Sequence, residues 1–151
     1  MPEADSYLSS EIIATTNRAK RVLSLEKPGY EFLPHTTDAY IEARGSTLEQ
    51  ALEYAAAALF DTMCDIKSVS PEFTEEIDIS SNDEVRLLYD WLESLLLKFE
   101  LKGQVYSKFE VAPIEKFAEI LQAKARISGE KFDRKRHGAK VEVKAVTYHK
   151  M

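Results

Sequence analysis

The spacing of apolar residues in this chain switches between every second position and every third or fourth, and these switches constrain its fold. A period of two is typical of a half-buried strand, and a period of 3.6 is typical of an amphipathic helix. Because the last three strands are joined by short connections, they favour antiparallel neighbours. The pattern therefore predicts an α+β fold with two helices packed on a mostly antiparallel sheet. In chain order, it predicts a strand at 39–44, a helix at 48–63, a strand at 73–79, a helix at 85–99, and strands at 105–111, 119–128 and 140–149.

Length and composition predict one folded domain. The chain has 151 residues, of which 44% are hydrophobic and 30% are charged, and this is enough to build a core. Its longest apolar stretches are shorter than the roughly 20 residues that span a bilayer, and no secretory signal is recognisable. A single cysteine, Cys64, fits a reducing compartment. We expect no membrane association and a cytoplasmic location.

The charges divide the chain into an acidic middle and a basic end. Residues 30–100 carry sixteen acidic and four basic side chains, whereas residues 101–151 carry six and twelve. Strong independent nucleic-acid binding requires a broad positive surface, which this distribution argues against. It favours a protein partner with a complementary face.

The first 29 residues form a separate segment ahead of the predicted domain at 30–151. Their apolar residues make only a ragged helical stripe before the Pro28-Gly29 breaker. We expect residues 1–29 to be a weakly ordered extension or a short helix.

Three side chains that could carry chemistry are assigned to packing. Trp91 and Tyr89 flank the apolar stripe of the second helix, where aromatic residues usually pack. Cys64 follows a core-facing helix end with no neighbouring pattern that would lower its pKa, so we expect a buried and unreactive thiol.

His35 and Asp38 lie three residues apart just before the first predicted strand. An exposed carboxylate can hold a hard cation, with the imidazole orienting it. The alternative, in which Asp38 caps a turn, is favoured by local chemistry because isolated pairs of this kind are common. Two protein groups are also too few for a tight magnesium or calcium site.

A second cluster of charge lies between 131 and 140. It includes Arg134, Arg136 and His137, and we expect a solvated hairpin loop in preference to a phosphate or partner contact. Lys144 lies within an alternating strand, where a long cation must snorkel or meet a carboxylate.

Three separated motifs resemble the archease family. "YEFLPHTTDAYIEARGSTLEQALEYAAAALFDTM" is similar to the family's His-Thr-Ala-Asp-Val start, strand, Gly-Ser-Thr-Leu-Glu turn and helix. "LLYDWLESLLLKFE" resembles the second helix, and "GEKFDRKRHGAKVEVKAVTYHKM" resembles the Gly-Glu-x-Phe, His and Val-Lys-Ala-Val-Thr-Tyr elements. The resemblance covers 30–151 in the right order, with Thr37 and Ala39 in place of the usual alanine and valine.

The resemblance implies a fold and a function. The implied fold is a strand-helix-strand-strand type sandwich. Archeases activate the tRNA-splicing RNA ligase, which joins 2′,3′-cyclic phosphate and 5′-hydroxyl RNA ends with GTP and manganese. They promote guanylylation of the ligase and its repeated turnover. The resemblance therefore implies a protein cofactor of this ligase and not an enzyme.

The same resemblance assigns roles to single residues. Asp38 matches the family's metal-binding aspartate, with His35 beside it, so a divalent metal ion (calcium, magnesium or manganese) is implied. Lys144 matches the lysine of the Val-Lys-Ala motif that is important for activation. The implied partner contacts lie in the C-terminal motif, at Arg134, Arg136, His137 and Tyr148.

One departure bears on the metal ion. Family members continue past the Thr-Tyr element to an aspartate-containing tail that joins the metal site, whereas these 151 residues stop at Met151. Asp38 is then short of ligands, so the metal site is incomplete without the tail, assembled differently or absent.

Two other classes of function stay open. One is a small metal-dependent hydrolase that uses His35 and Asp38 as an acid-base pair. The other is a chaperone-like module that serves several RNA-modifying enzymes.

Overall fold

The structure is a computed structural model, and it describes residues 11–15, 29–33, 39–140, 143 and 145–148. A turn of 3₁₀ helix at Ile66–Ser68 follows the first helix. The strands and helices are β1 (Glu11–Thr15), β2 (Gly29–Leu33), β3 (Ala39–Arg44), α1 (Leu48–Met63), β4 (Phe73–Ser81), α2 (Glu84–Lys102), β5 (Gln104–Val111), β6 (Glu115–Phe117), β7 (Ile120–Lys131), α3 (Arg134–His137) and β8 (Ala145–Tyr148).

The strands form two sheets, and the two long helices contact strands of both. Sheet A has the order β2-β3-β1-β8, and sheet B has the order β4-β7-β5 with β6 paired to β7. Sheet B is antiparallel throughout, whereas β1 in sheet A runs parallel to both β3 and β8. The predicted α+β class is confirmed. The single sheet expected from the pattern is replaced by two.

The described part of the N-terminal segment is a strand. Glu11–Thr15 lies between β3 and β8, with Ile12 opposite both Ala39 and Val146. This differs from the weakly ordered extension or short helix expected for residues 1–29. Ile12, Ile13 and Thr15 are β-branched and favour a pleated strand once neighbouring strands are available.

Helix α1 is built for close packing. Thr47 is its N-cap, and the Thr47 side chain accepts a hydrogen bond from the backbone N–H of Gln50. The helix contacts β2, β3 and β5 as well as α2. Its small alanine side chains let these strands approach the helix axis. The buried face is formed by Leu52, Ala55, Ala56, Ala58, Leu59, Phe60, Thr62 and Met63.

Helix α2 begins at an Asp83 cap and ends at Gly103 in the left-handed conformation. Trp91 is 1% exposed, and its indole N–H donates to the backbone oxygen of Leu52 at 2.9 Å. This bond ties α2 to α1, and it confirms that Trp91 packs in the core. No helix in the described part of the chain is both long and apolar enough to cross a membrane.

A polar residue on the inner face of β4 has a structural role. Glu75 accepts hydrogen bonds from Lys98 Nζ at 2.9 Å and from the Tyr106 hydroxyl at 2.8 Å. Burial raises the pKa of Glu75, but these bonds and the charges of Lys98 and Lys102 outweigh it, so the pKa lies below its usual value. The inward face of this strand is formed by residues 73, 75, 77 and 79, which are less exposed than the residues between them.

The packing of β7 against β5 leaves no room for a side chain at Gly129. A Cβ atom at Gly129 would lie 1.9 Å from the Val105 carbonyl oxygen and 2.7 Å from the Tyr106 Cα. Because both are backbone atoms, Gly129→Ala is expected to lower the free energy of unfolding by about 3 kcal/mol in a denaturant titration.

Gly103→Ala is the matched control for that prediction. Gly103 has a φ of 66° with nothing within 4 Å of the added Cβ, so only left-handed strain of about 1 kcal/mol is expected. An equal or larger loss for Gly103→Ala would contradict the packing of β7 described here.

Candidate functional site

His35, Asp38 and Lys144 lie outside the described residues, but the strands that follow them in the sequence are described. Ala39, the residue after Asp38, starts β3 opposite Ile12. Ala145, the residue after Lys144, starts β8 opposite Glu11. Because β1 is parallel to both strands, β3 and β8 begin at the same end of sheet A. The backbone of Tyr148 lies opposite Ala14 at the other end of β8.

The segment 131–140 is docked on the body of the protein. Its centre is the short helix α3, capped by Asp133, whose side chain accepts from the backbone N–H of Lys135. The backbone N–H of Asp65 donates to the His137 oxygen, and that of Lys140 donates to the Met63 oxygen, both at 2.9 Å. The segment is therefore held against the C-terminal end of α1, in contrast to the solvated hairpin loop expected from its charges.

A buried carboxylate explains this docking. Glu130 is 4% exposed, and its oxygens accept hydrogen bonds from the Ser70 backbone N–H and Arg136 Nη1, both at 2.7 Å. A third contact joins its Oε2 to His137 Nε2 at 2.8 Å. His137 Nδ1 accepts from the Asp133 backbone N–H at 2.9 Å, so Nε2 carries the proton and donates to Glu130.

The electrostatics of this cluster favour an ionised Glu130. Burial raises its pKa, but the hydrogen bonds from Ser70 and His137 and the charge of Arg136 outweigh burial. The pKa of Glu130 is consequently lowered. Phe132 stacks on the His137 ring at a centroid distance of 5.8 Å and shields it from water.

The three described side chains that the sequence assigned to a partner contact have different surroundings. Arg134 is exposed. Arg136 is 46% exposed, but its guanidinium is engaged by Glu130 and by the Ser70 hydroxyl at 2.7 Å. His137 is 1% exposed, so its side chain supports the segment from within. The outer surface of the segment is basic. Its exposed cations are Lys131, Arg134, Lys135, Arg136 and Lys140.

A second polar contact that holds this segment involves Asp61, near the C-terminal end of α1. Its carboxylate accepts from the Tyr30 hydroxyl at 3.0 Å and from Lys140 Nζ at 3.3 Å. Burial, followed by the charge of Asp61 and its hydrogen bond, raises the pKa of Tyr30 to about 12. The Tyr30 phenol therefore stays protonated near neutral pH and acts as a donor.

Sequence reasoning missed Glu130 and Asp61. Strict alternation along β7 puts Glu130 on the same face as the exposed Arg126, and only the return of α3 over the end of that strand buries it. The available signal was the Gly-Glu-x-Phe motif, which includes Glu130. The expected burial of Cys64 is confirmed, and burial raises the pKa of its thiol to about 11.

The metal prediction for Asp38 and His35 rests on residues outside the described set. Within that set, no three His, Cys, Asp or Glu side chains converge to hold an ion. The carboxylate of Asp38 and the imidazole of His35 are donors that suit a divalent cation.

Known proteins resemble this chain over most of its length. Residues 30–151 match the model of the Archease protein family (MTH1598/TM1083). "Protein archease" of Thermococcus gammatolerans is 40% identical over 122 residues, which cover 81% of this chain and 85% of that protein. The one from Sulfurisphaera tokodaii is 41% identical over 81% of this chain and 86% of its own length. In the solution structure of Methanobacterium thermoautotrophicum protein 1598, 84% of that chain aligns with 79% of this one, with a TM-score of 0.69 and 37% identity.

Glu130→Gln is expected to destabilise the protein in a pH-dependent manner. Because the folded-state pKa of Glu130 is lowered, its stabilisation is present above the unfolded pKa of about 4.3 and is lost as pH falls through the folded value. At pH 7 the variant should lose about 3 kcal/mol of unfolding free energy. The difference from the unsubstituted protein should shrink below roughly pH 4.

Glu76→Gln, at an exposed position of β4, is the control for that titration. Thermal or chemical unfolding measured across the pH range should show little change for it. A Glu130→Gln loss that stays constant into acid would contradict a stabilising carboxylate.

Proposed function

The chain belongs to the archease family, and from this premise we propose that it is a protein cofactor of a tRNA-splicing RNA ligase. In this role it promotes guanylylation of the ligase and repeated joining of 2′,3′-cyclic phosphate and 5′-hydroxyl RNA ends. The chain acts on the ligase and is not itself the enzyme. We also propose a cytoplasmic location, in which the buried Cys64 stays reduced.

One observation carries this proposal beyond family membership. The strands that directly follow Asp38 and Lys144 begin at the same end of sheet A, on the two sides of β1. The two motifs are separated by more than a hundred residues in the sequence. The shared end at which β3 and β8 begin supports a single functional edge to which the acidic and the basic motif would both contribute.

Asp38 and His35 are the residues that would hold a divalent cation, with calcium, magnesium and manganese as the candidates. Such a cation supplies positive charge for nucleotide phosphates at the entrance of the ligase active site. Lys144, which directly precedes β8 in the sequence, would add a positive charge. Tyr148, Arg134 and Arg136 are proposed as partner contacts, and His137 acts indirectly by positioning Arg136 and its segment.

The docked segment 131–140 supports this edge mechanically. Backbone hydrogen bonds of His137 and Lys140 hold it against the C-terminal end of α1. Val143, immediately before Lys144, is 2% exposed, and Ala145, immediately after it, is paired in β8. Both sequence neighbours of Lys144 are therefore held by the fold.

Transfer of labelled GMP to the cognate ligase tests the proposal. Ligase, GTP and manganese are incubated with and without the full chain, and the covalent guanylate is measured over time. A faster or more complete transfer with the chain is expected. Reaction on RNA ends or phosphate esters by the chain alone would favour the hydrolase. Equal effects on unrelated RNA-modifying enzymes would favour the chaperone-like module.

Asp38→Ala is expected to reduce the guanylylation rate at saturating chain by roughly tenfold, because the variant loses a proposed cation ligand. Asp78→Ala removes a carboxylate from an exposed position of β4 and should leave the rate unchanged. Equal rates for Asp38→Ala and the unsubstituted chain would remove the basis for a cation at this position.

Lys144→Ala should also lower the saturating rate by roughly tenfold, or about 1.4 kcal/mol, because it deletes a charge proposed to act on the reacting ligase. Lys124→Ala, at an exposed position of β7, is the matched control. If only the half-saturating concentration changes and the saturating rate does not, Lys144 acts in binding and not in activation.

A further inference from the structure

The hairpin between β6 and β7 ends in an exposed apolar tip. Phe117 and Ile120 are directly paired across the hairpin and are joined by the two-residue turn Ala118-Glu119. Phe117 is 58% exposed and Ile120 is 40% exposed. The four residues 117–120 are here termed the hairpin tip. The pair lies one position beyond the last β4–β7 pair, Ser81 with Leu121. Two large apolar side chains side by side at this end of sheet B expose surface that water solvates poorly.

The turn at the hairpin tip is strained. Ala118 has a φ of 54°, and no other non-glycine residue in the described part of the chain has a positive φ. The first central residue of a two-residue turn with this geometry is usually glycine. An alanine there costs about 1 kcal/mol. Strain of this kind is found where the exact direction of a segment matters.

The base of the hairpin is anchored to α1 through two carboxylates. Glu49 Oε2 accepts from the Ile114 backbone N–H at 2.7 Å, and Glu53 Oε2 accepts from the Val111 backbone N–H at 2.8 Å. Ile114 and Leu121 also pack against the core at the base. Because the base is fixed to a buried helix, the hairpin tip is presented in a defined orientation.

We propose that the hairpin tip is a docking element that inserts Phe117 and Ile120 into an apolar pocket on the RNA ligase. This inference rests on the proposed function. It assigns the tip to binding of the partner, separate from the activating edge formed by the starts of β3 and β8.

The charges around the tip favour such a partner. Glu115 and Glu119 flank the apolar pair together with the single cation Lys116. A protein that binds RNA carries basic side chains for phosphate, and a basic pocket rim would complement the two carboxylates. An anionic lipid surface would repel them. An exposed apolar hairpin tip with an acidic rim therefore fits an apolar site with a basic rim on a protein.

The double variant Phe117→Ser/Ile120→Ser tests the proposal by titration against the ligase. The rate of guanylylation is followed as the full chain is added, so that half-saturating concentration and saturating rate are obtained separately. The half-saturating concentration should rise about tenfold or more, as for loss of an interface anchor, with the saturating rate unchanged. The chain should stay folded, and the melting temperature should fall by only a few degrees, because the substitutions remove one partly exposed cross-strand pair.

Leu101→Ser is the matched control. Leu101 is 80% exposed on α2, so the substitution removes a more accessible apolar side chain away from the hairpin. It should leave the half-saturating concentration unchanged. A comparable rise for Leu101→Ser would mean that general surface apolarity drives binding, and it would overturn the assignment to the hairpin tip.

The outcomes separate the two proposals. If the unsubstituted chain does not stimulate guanylylation at any concentration, the proposed function fails. If it does, and the double variant has the same half-saturating concentration, the docking inference is overturned. The inference is also overturned if that concentration is unchanged while the double variant loses binding to phosphatidylserine vesicles, or loses self-association in sedimentation equilibrium.

Discussion

Burial of helix α1 against strands of both sheets is the interaction on which the rest of the structure depends. Helix α1 contacts β3 of sheet A and β5 of sheet B, and close approach of a strand to the helix backbone requires small side chains at the contact. The alanines at 55, 56 and 58 satisfy this requirement, while Leu52, Leu59 and Phe60 fill the remaining space at 0% exposure. The Trp91 indole bond to the Leu52 oxygen then fixes α2 against the same helix.

Polar groups of α1 also hold two loop segments in place by hydrogen bonds. Near the start of the helix, Glu49 and Glu53 hold the backbone that leads into the hairpin. Near its end, Asp61 and the Met63 carbonyl hold Lys140 and the segment that leads into β8. The proposed docking element and the proposed activating edge therefore depend on one helix. Under the two proposals, α1 would link binding of a partner to presentation of the activating residues.

Local patterns predicted the parts of the fold that local chemistry determines. The two helices follow from periodicity, and Asp83 and Gly103 at the ends of α2 are residue types that commonly cap helices. The division into two sheets does not follow from periodicity, because β1 pairs with strands far away in the sequence and no hairpin signal marks a parallel neighbour. Glu130 was missed for a related reason, since its burial requires α3 to fold back over the end of β7. The candidate site at Asp38 was found through the family resemblance, because a His and an Asp three residues apart are ambiguous by themselves.

We propose that this protein allows an RNA ligase to complete repeated rounds of joining. The most direct measurement is joining of 2′,3′-cyclic phosphate and 5′-hydroxyl RNA ends by the cognate ligase under RNA excess, with and without the full chain. Several joined products per ligase molecule are expected only when the chain is present. An equal number of products per ligase molecule with and without the chain would contradict the proposed function.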